Sequence, residues 1–164
     1  MKKEAILDVL KEIIPYIIIL VVVILIRTFL VTPVRVNGPS MDTTLKNGEI
    51  MILNKLGKPK KGKIVVVDIE SEKIIKRVIA TPGDSIYCKD GVVYVNDKKI
   101  DEDYTSTKTL DFKKIYLKDD EYFVMGDNRK VSMDSRTFGP VKRKQILGTT
   151  NLILFPFNKI GKAK

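Results

Sequence analysis

A chain of 164 residues with no histidine and one cysteine has room for one modest domain and lacks the side chain that most hydrolytic sites depend on. Without imidazole there is no Ser-His-Asp triad, no Cys-His pair and no ordinary zinc site, so any acid–base group must be a carboxylate, lysine or tyrosine, and neither metal nor cofactor is expected. The net charge of +10 raises nucleic acid as a partner, but no helix-turn-helix, zinc-finger or ribonucleoprotein-type aromatic pattern accompanies it, and no nucleic-acid role is expected.

Residues 1–12 mix Lys2, Lys3, Glu4, Asp8, Lys11 and Glu12 with Ile6, Leu7, Val9 and Leu10, a short amphipathic lead-in. Residues 13–31 read as a transmembrane anchor, since Ile13–Leu30 as a helix would span ~27 Å, close to the hydrocarbon thickness of a bilayer. Arg27 lies near the end of this run, where its side chain can snorkel to the headgroups. The following Thr32-Pro33-Val34-Arg35-Val36 offers no pair of small residues for removal of a secretory signal, so the anchor is expected to stay. Lys2, Lys3 and Lys11 outweigh Arg27 and Arg35, which favours a cytoplasmic amino terminus and an extracytoplasmic domain over residues 32–164.

Beyond the anchor the pattern turns to strands. Glu49–Asn54 and Lys63–Asp68 are short apolar runs joined by the turn Lys55-Leu56-Gly57-Lys58-Pro59-Lys60-Lys61-Gly62-Lys63, a solvated loop suited to anionic lipid headgroups. Asp90-Gly91 between Tyr87–Lys89 and Val92–Val95 is a hairpin signal, because a type I′ turn wants positive φ at both central residues. Residues 101–114 carry little apolar alternation and read as an exposed, mobile excursion. Strands resume at Lys114–Leu117 and Tyr122–Met125, and Leu152–Phe157 either closes the sheet or touches lipid. The expected fold is mainly β: one amino-terminal transmembrane helix followed by a single antiparallel β-sheet domain.

Three stretches are chemically odd. In Asn37-Gly38-Pro39-Ser40-Met41, Gly38 lets another backbone approach, Pro39 fixes φ and Ser40 presents a hydroxyl from a stiff turn, a setting for a nucleophile and equally for an ordinary turn. In Ile74-Ile75-Lys76-Arg77-Val78-Ile79-Ala80, both strand faces are otherwise apolar, so a cation is expected against the core. A desolvated lysine can lose its proton and become a base, or lay its stem over the sheet with the amine in water; a buried arginine stays charged and needs an anion. Residues 125–139, from Met125 to Gly139, are dense in small polar and charged side chains that are expected to bond one another.

Taken together these motifs resemble the bacterial type I signal peptidases, in the short Gram-positive form. An anchor, Gly38-Pro39-Ser40-Met41 with Leu45, Lys76-Arg77-Val78-Ile79-Ala80-Thr81-Pro82-Gly83-Asp84, and Gly126-Asp127-Asn128-Arg129 followed by Ser132-x-Asp134-Ser135-Arg136 occur in the family's order across nearly the whole chain. Thr43 departs from the pattern, which usually carries proline at that position.

The resemblance implies a membrane-bound serine endopeptidase with a Ser40–Lys76 dyad that removes signal peptides from preproteins after Ala-x-Ala-like sites. It further implies that Ser132 orients the lysine amine, that Asp134 and Arg136 form a supporting ion pair, and that Asp127 partners Arg77. The oxyanion donors would be the backbones of Ser40 and Gly38. Val36, Met41, Leu45, Ile74 and Ile75 would line shallow pockets for small residues. The implied partners are preproteins, the bilayer and a neighbouring secretion translocon. Two rival readings are a self-cleaving repressor-type Ser–Lys protease, which would carry a DNA-binding arm, and a non-catalytic membrane-anchored module that binds signal peptides without cutting them.

Overall fold

The computed structural model describes residues 2–163, with side chains from residue 9 onward. Helix α1, Lys2–Leu25, passes into a π-helical turn, Ile26–Leu30, so the amphipathic lead-in and the apolar run form one continuous rod. Among the described residues none buries Val9–Leu30, 22 residues that are long and apolar enough to cross a membrane. As a helix they span ~33 Å.

Strand β1 (Val31–Arg35) follows with no linker and pairs antiparallel with β2 (Ile50–Asn54), Val31 lying opposite Asn54. The helix end therefore meets the β domain directly. The Lys55 amide donates to the Leu30 carbonyl at 2.9 Å, and Lys55 Nζ donates to the carbonyls of Arg27 and Thr28 at 3.2 and 2.7 Å. An ammonium there satisfies carbonyls that a helix terminus leaves without partners.

The chain continues through β3 (Ile64–Ile69), β4 (Glu72–Ala80), β5 (Ser85–Lys89), β6 (Val92–Val95), β7 (Lys98–Lys99), β8 (Phe112–Tyr116) and β9 (Glu121–Met125). A one-turn helix α2 (Ser135–Phe138) precedes β10 (Val141–Lys142), β11 (Ile146–Phe155) and β12 (Gly161–Lys162). The larger sheet has the order β1-β2-β11-β3-β4-β9-β10, with β12 on β11, and the smaller has the order β7-β6-β5-β8. The Asp90-Gly91 turn has φ of 55° and 79°, the geometry its sequence signalled.

Two expectations needed revision. Leu152–Phe157 was expected as a closing strand, yet β11 begins at Ile146 and lies in mid-sheet between β2 and β3. Register shifts at Ile146/Gly148, Thr150/Leu152 and Ile153/Phe155 bend it, so one strand serves two neighbours and its polar centre, Thr149-Thr150-Asn151, hid it from a search for apolar runs. The excursion is no loose loop either: Tyr104 lies over Arg77 of β4, and Glu102 and Thr109 bond Arg129 in the loop after β9.

Packing divides the interior in three. One cluster, including Val36, Met41, Leu45, Met51, Leu53 and Ile75, backs the turn that carries Ser40. A second joins the two sheets, with Phe112 stacked on Phe123 at 5.5 Å between ring centroids. A third, with Val65, Val67, Val78 and Val124, covers the opposite face of the larger sheet. Residues 64–67 of β3 and 75–80 of β4 are buried on both faces, which is why these stretches read as apolar runs interrupted only by Lys76 and Arg77.

Candidate active site

Ser40 sits on the turn after β1, fixed by hydrogen bonds on either side: the Asp42 amide donates to the Pro39 carbonyl at 3.0 Å, and the Asn128 amide to the Ser40 carbonyl at 3.1 Å. Gly38 has φ of 82°, and a Cβ built on it would meet nothing within 4 Å. Its glycine is therefore explained by backbone conformation and not by a close neighbour.

Lys76 comes from the middle of β4 and is 3% exposed. Its Nζ lies 2.8 Å from Ser40 Oγ. Burial pushes its pKa down from 10.5 to about 8; the Asp134 carboxylate opposes the shift, Arg136 adds to it and Asp127 opposes it more weakly. About a tenth of the amine is thus neutral at pH 7, where an exposed lysine would hold almost none. A serine hydroxyl within reach of a partly neutral amine is an arrangement for proton transfer.

Arg77, one residue on, faces away from Lys76 and finds an acid. Its Nε and NH2 bond Asp127 at 2.8 and 2.6 Å, a two-pronged pair in which Asp127 is fully buried. Thr44 donates from Oγ1 to Asp127 at 2.5 Å, and Arg77 NH1 donates to the Gly62 carbonyl at 2.8 Å. Because Asn128 holds the Ser40 carbonyl, this buried pair links β4, the turn after Ser40 and the loop after β9.

The loop after β9 closes on itself through Asp134. Arg136 donates to it from Nε and NH2 at 2.8 and 2.9 Å, and the Gly126 amide donates at 2.9 Å. Burial would raise the pKa of Asp134, but these donors outweigh it and hold the carboxyl below its ordinary value. A Cβ on Gly126 would fall 2.3 Å from Ser132 Oγ and 2.4 Å from the Ser40 carbonyl oxygen, so Ser132 approaches the Ser40 turn across a position only glycine can fill. Ser132 Oγ is buried and close enough to Asp134 to help hold that carboxyl down, but the expected bond to the lysine amine is not formed in this structure.

A cavity of about 410 Å³ opens beside the pair, walled by Ser40, Lys76, Ile74 and Ile75 and rimmed by Arg35, Asn37, Ser71, Glu72 and Lys73. Val36, Met41 and Leu45, expected on pocket walls, are instead buried in the core cluster beneath the turn, at most 2% exposed, because their aliphatic faces are what holds the turn in place. The Gly38 amide is likewise unavailable as an oxyanion donor: it donates to Asn47 Oδ1 at 3.0 Å. The Ser40 amide makes no hydrogen bond within the described residues and is the free donor at this place.

Sequence reasoning missed Tyr104 and Glu102, and gave Arg129 no role beyond its place in the motif. The Tyr104 ring lies 4.1 Å from the Arg77 guanidinium carbon, and Arg129 binds Glu102 Oε1 at 2.5 Å and Thr109 Oγ1 at 2.5 Å. The available signal was a lone aromatic in a polar stretch. Cys88 is a core side chain, buried among apolar neighbours, with burial first and the nearby Asp111 second pushing its thiol up to about 11. Among the described residues no cluster could hold a metal ion.

A serine within 2.8 Å of a buried lysine, on a β scaffold led by an apolar helix long enough to cross a membrane, is an arrangement that suits a serine peptidase. The pattern of the family described as signal peptidase, peptidase S26, matches residues 9–155. The chain is 43% identical to signal peptidase I of Bacillus amyloliquefaciens, covering 99% of this chain and 95% of that one. It is 38% identical to signal peptidase I S of Bacillus subtilis strain 168 (98% and 95%) and 36% identical to signal peptidase IB of Staphylococcus aureus strain COL (97% and 94%). The solved structure of a signal peptidase I from Enterococcus faecalis V583 superposes with a TM-score of 0.51 at 29% identity, over 56% of this chain and 96% of that one. The chain belongs to the signal peptidase family, and it is a serine peptidase that removes signal peptides from the preproteins that bear them. The repressor-type reading is thereby set aside.

Proposed function

We propose that Ser40 and Lys76 are the catalytic dyad and that the enzyme cuts after small, Ala-x-Ala-like residues. The observation that carries this is the 2.8 Å separation of Lys76 Nζ and Ser40 Oγ in a chain without histidine. Neutral Lys76 takes the hydroxyl proton as Oγ attacks the scissile carbonyl, and the ammonium so formed gives that proton to the leaving amine. Water, deprotonated by the same lysine, then hydrolyses the acyl-enzyme and regenerates Ser40. The free Ser40 amide supplies a donor to the developing oxyanion, a contribution of ~3 kcal/mol. Ser132, whose buried hydroxyl lies beside Asp134, orients Lys76 by turning that hydroxyl to the amine.

Substrate lies extended against β4. Residues 72–76 pair with β3 on one side, whereas pairing with β9 begins only at Arg77, so the other edge is free to add a strand of peptide. Ile74 and Ile75 beside that edge favour small apolar side chains. Val9–Leu30 anchors the enzyme with its amino terminus in the cytoplasm, at the membrane where the translocon delivers preproteins, and the exposed Phe155 and Phe157 rest at the bilayer surface. A signal peptide held in the same bilayer then meets the dyad in two dimensions, at raised effective concentration.

The test is cleavage of a precursor with an Ala-x-Ala site by the wild type, Ser40→Ala and Lys76→Ala proteins, each checked for folding. Cleavage by the wild type alone is expected; undiminished turnover by either variant would assign the chemistry to other residues. Protease added outside spheroplasts is expected to reach the chain beyond residue 31, and protection of a demonstrably sensitive domain would reverse the orientation.

A further inference from the structure

A second cavity, of about 350 Å³, opens between the lysine-rich turn and β11. Asn54, Lys58, Lys60 and Lys63 form one side, and Thr149, Thr150 and Asn151 the other. Every lining side chain carries a hydrogen-bond donor and none is acidic. Lys58, Lys60 and Lys63 are exposed and form no ion pair among the described residues, whereas Lys61 between them is drawn off to Asp84 at 2.8 Å. Asn54 accepts the Leu56 amide on Oδ1 at 3.0 Å, which leaves its amide NH2 to donate. Thr150 is 2% exposed, and its Oγ1 has no hydrogen-bond partner.

The turn is built onto β11. A Cβ on Gly57 would fall 1.9 Å from Thr149 Oγ1, so only glycine lets the backbone lie there. Pro59 is buried between Lys58 and Lys60, and the Lys63 amide donates to the Lys60 carbonyl at 3.0 Å, which fixes the directions in which the three lysines leave the backbone.

Position then names the ligand. Asn54 lies opposite Val31, the first residue past the apolar helix, and the next residue, Lys55, bonds the carbonyls of Arg27, Thr28 and Leu30. We propose that this cavity binds the phosphodiester headgroup of an anionic phospholipid. The inference rests on Val9–Leu30 being the membrane anchor and is independent of the Ser40–Lys76 chemistry. Three unpaired ammonium groups and a ring of neutral donors suit a phosphoryl oxyanion, and a choline headgroup would bring its own positive charge against the lysines. Seating a headgroup one strand-end from the anchor sets the height of the β domain over the bilayer.

The test uses the full chain in detergent micelles, titrated with short-chain phosphatidylglycerol, short-chain phosphatidylcholine or inorganic phosphate, with amide shifts of Gly57 and Thr149–Asn151 as readout. Saturable shifts are expected with phosphatidylglycerol and none with phosphatidylcholine. Lys58→Gln/Lys60→Gln/Lys63→Gln is expected to weaken binding by roughly tenfold to a hundredfold. Lys98→Gln/Lys99→Gln/Lys113→Gln, an equal change of charge elsewhere, is expected to leave it unchanged, and Thr150→Val to weaken it with the lysines intact. Equal weakening by both triple variants would reduce the effect to diffuse charge, and inorganic phosphate binding as tightly as the lipid would make this a free-anion site; either outcome overturns the proposal. Peptidase activity and resistance of the chain to carbonate extraction, followed in parallel, report failure of the dyad or of the anchor separately from failure of the cavity.

Discussion

Strand β4 turns two neighbouring cations to opposite sides, and the protein treats them in opposite ways. Arg77, 7% exposed, is answered in full by two bonds to Asp127, one to the Gly62 carbonyl and a tyrosine ring over its face. Lys76, 3% exposed, meets only a hydroxyl at 2.8 Å, with Asp134 and Asp127 acting on it through space. A buried guanidinium cannot shed its proton and so demands a carboxylate; a buried ammonium without a direct anion yields its proton instead. The first arrangement is structural and the second is the one on which the proposed dyad rests, although they are one residue apart.

The largest expected effect comes from removing the unanswered cation. Lys76 has a folded pKa of about 8 against 10.5 for an ordinary lysine, so below about pH 8 the protein holds a charge it has desolvated. Between pH 8 and 10.5 the unfolded chain still binds the proton that the folded one has released, so wild-type stability rises with pH across that window, by at most about 3 kcal/mol. Lys76→Met is therefore expected to raise Tm at pH 7, flatten the pH dependence of stability and abolish cleavage. Cleavage by the wild type should rise about tenfold per pH unit below about 8 and level off above it. Thermal melts and kcat/KM profiles on the same preparations check both limbs, and a wild-type rate independent of pH with chemistry limiting would sink the neutral-lysine mechanism.

On the other face the same logic predicts the reverse. Asp127→Ala strands the Arg77 guanidinium in the interior and removes the acceptor of Thr44, a loss of about 3–5 kcal/mol for a buried pair broken on one side. Denaturant unfolding should show it at every pH where the wild type is folded. A loss under about 1 kcal/mol would mean that water already reaches Arg77 and that the contrast with Lys76 is weaker than the geometry implies.

How far this contrast could be read beforehand depends on its range in sequence. The cations on β4 were legible because alternation puts Lys76 with Ile74 and Val78 and puts Arg77 with Ile75 and Ile79, leaving no wet face for either. The hairpin at Asp90-Gly91 and the long apolar helix were legible for similarly local reasons. Thr44 on Asp127 joins residues 83 apart and Thr43 on Tyr104 residues 61 apart, and no periodicity encodes such contacts. Strand β11 was half missed because its polar centre is needed where it passes from β2 to β3. Gly38 was assigned a donor role that Asn47 pre-empts, a matter of one hydrogen bond nine residues away.

Tyr104 sharpens the comparison at smaller scale, because its ring lies against the answered cations Arg77 and Arg129 and not against Lys76. Its ring faces Arg77, while its hydroxyl donates to Glu102 Oε1 at 3.1 Å. Tyr104→Phe keeps the ring, loses the hydroxyl bond to Glu102 at a cost of about 1 kcal/mol in stability, and should keep the wild-type kinetics. Tyr104→Leu loses the cation–π contact, about 1–2 kcal/mol at a site this desolvated, and should lower kcat with little change in KM by loosening the pair that links β4 to the turn after Ser40. Equal kinetics for the two variants would confine Tyr104 to filling space.

The smallest effect is expected at Thr43, the outermost tie. Its φ is 100°, its amide donates to Asp42 Oδ1 at 2.9 Å and its hydroxyl donates to the Tyr104 carbonyl at 2.7 Å. Proline, the residue the family usually carries here, is held near −65° and has no N–H, so this turn follows a path that proline cannot share. Thr43→Ala loses the hydroxyl bond while keeping the strained backbone and should cost about 1 kcal/mol. Thr43→Gly loses the same bond but relieves a positive φ by about as much, so its stability should stay close to that of the wild type. Glycine destabilising as much as alanine would show that the backbone is at ease at residue 43, and that the tie to Tyr104 alone holds the turn against the Arg77 side of the strand.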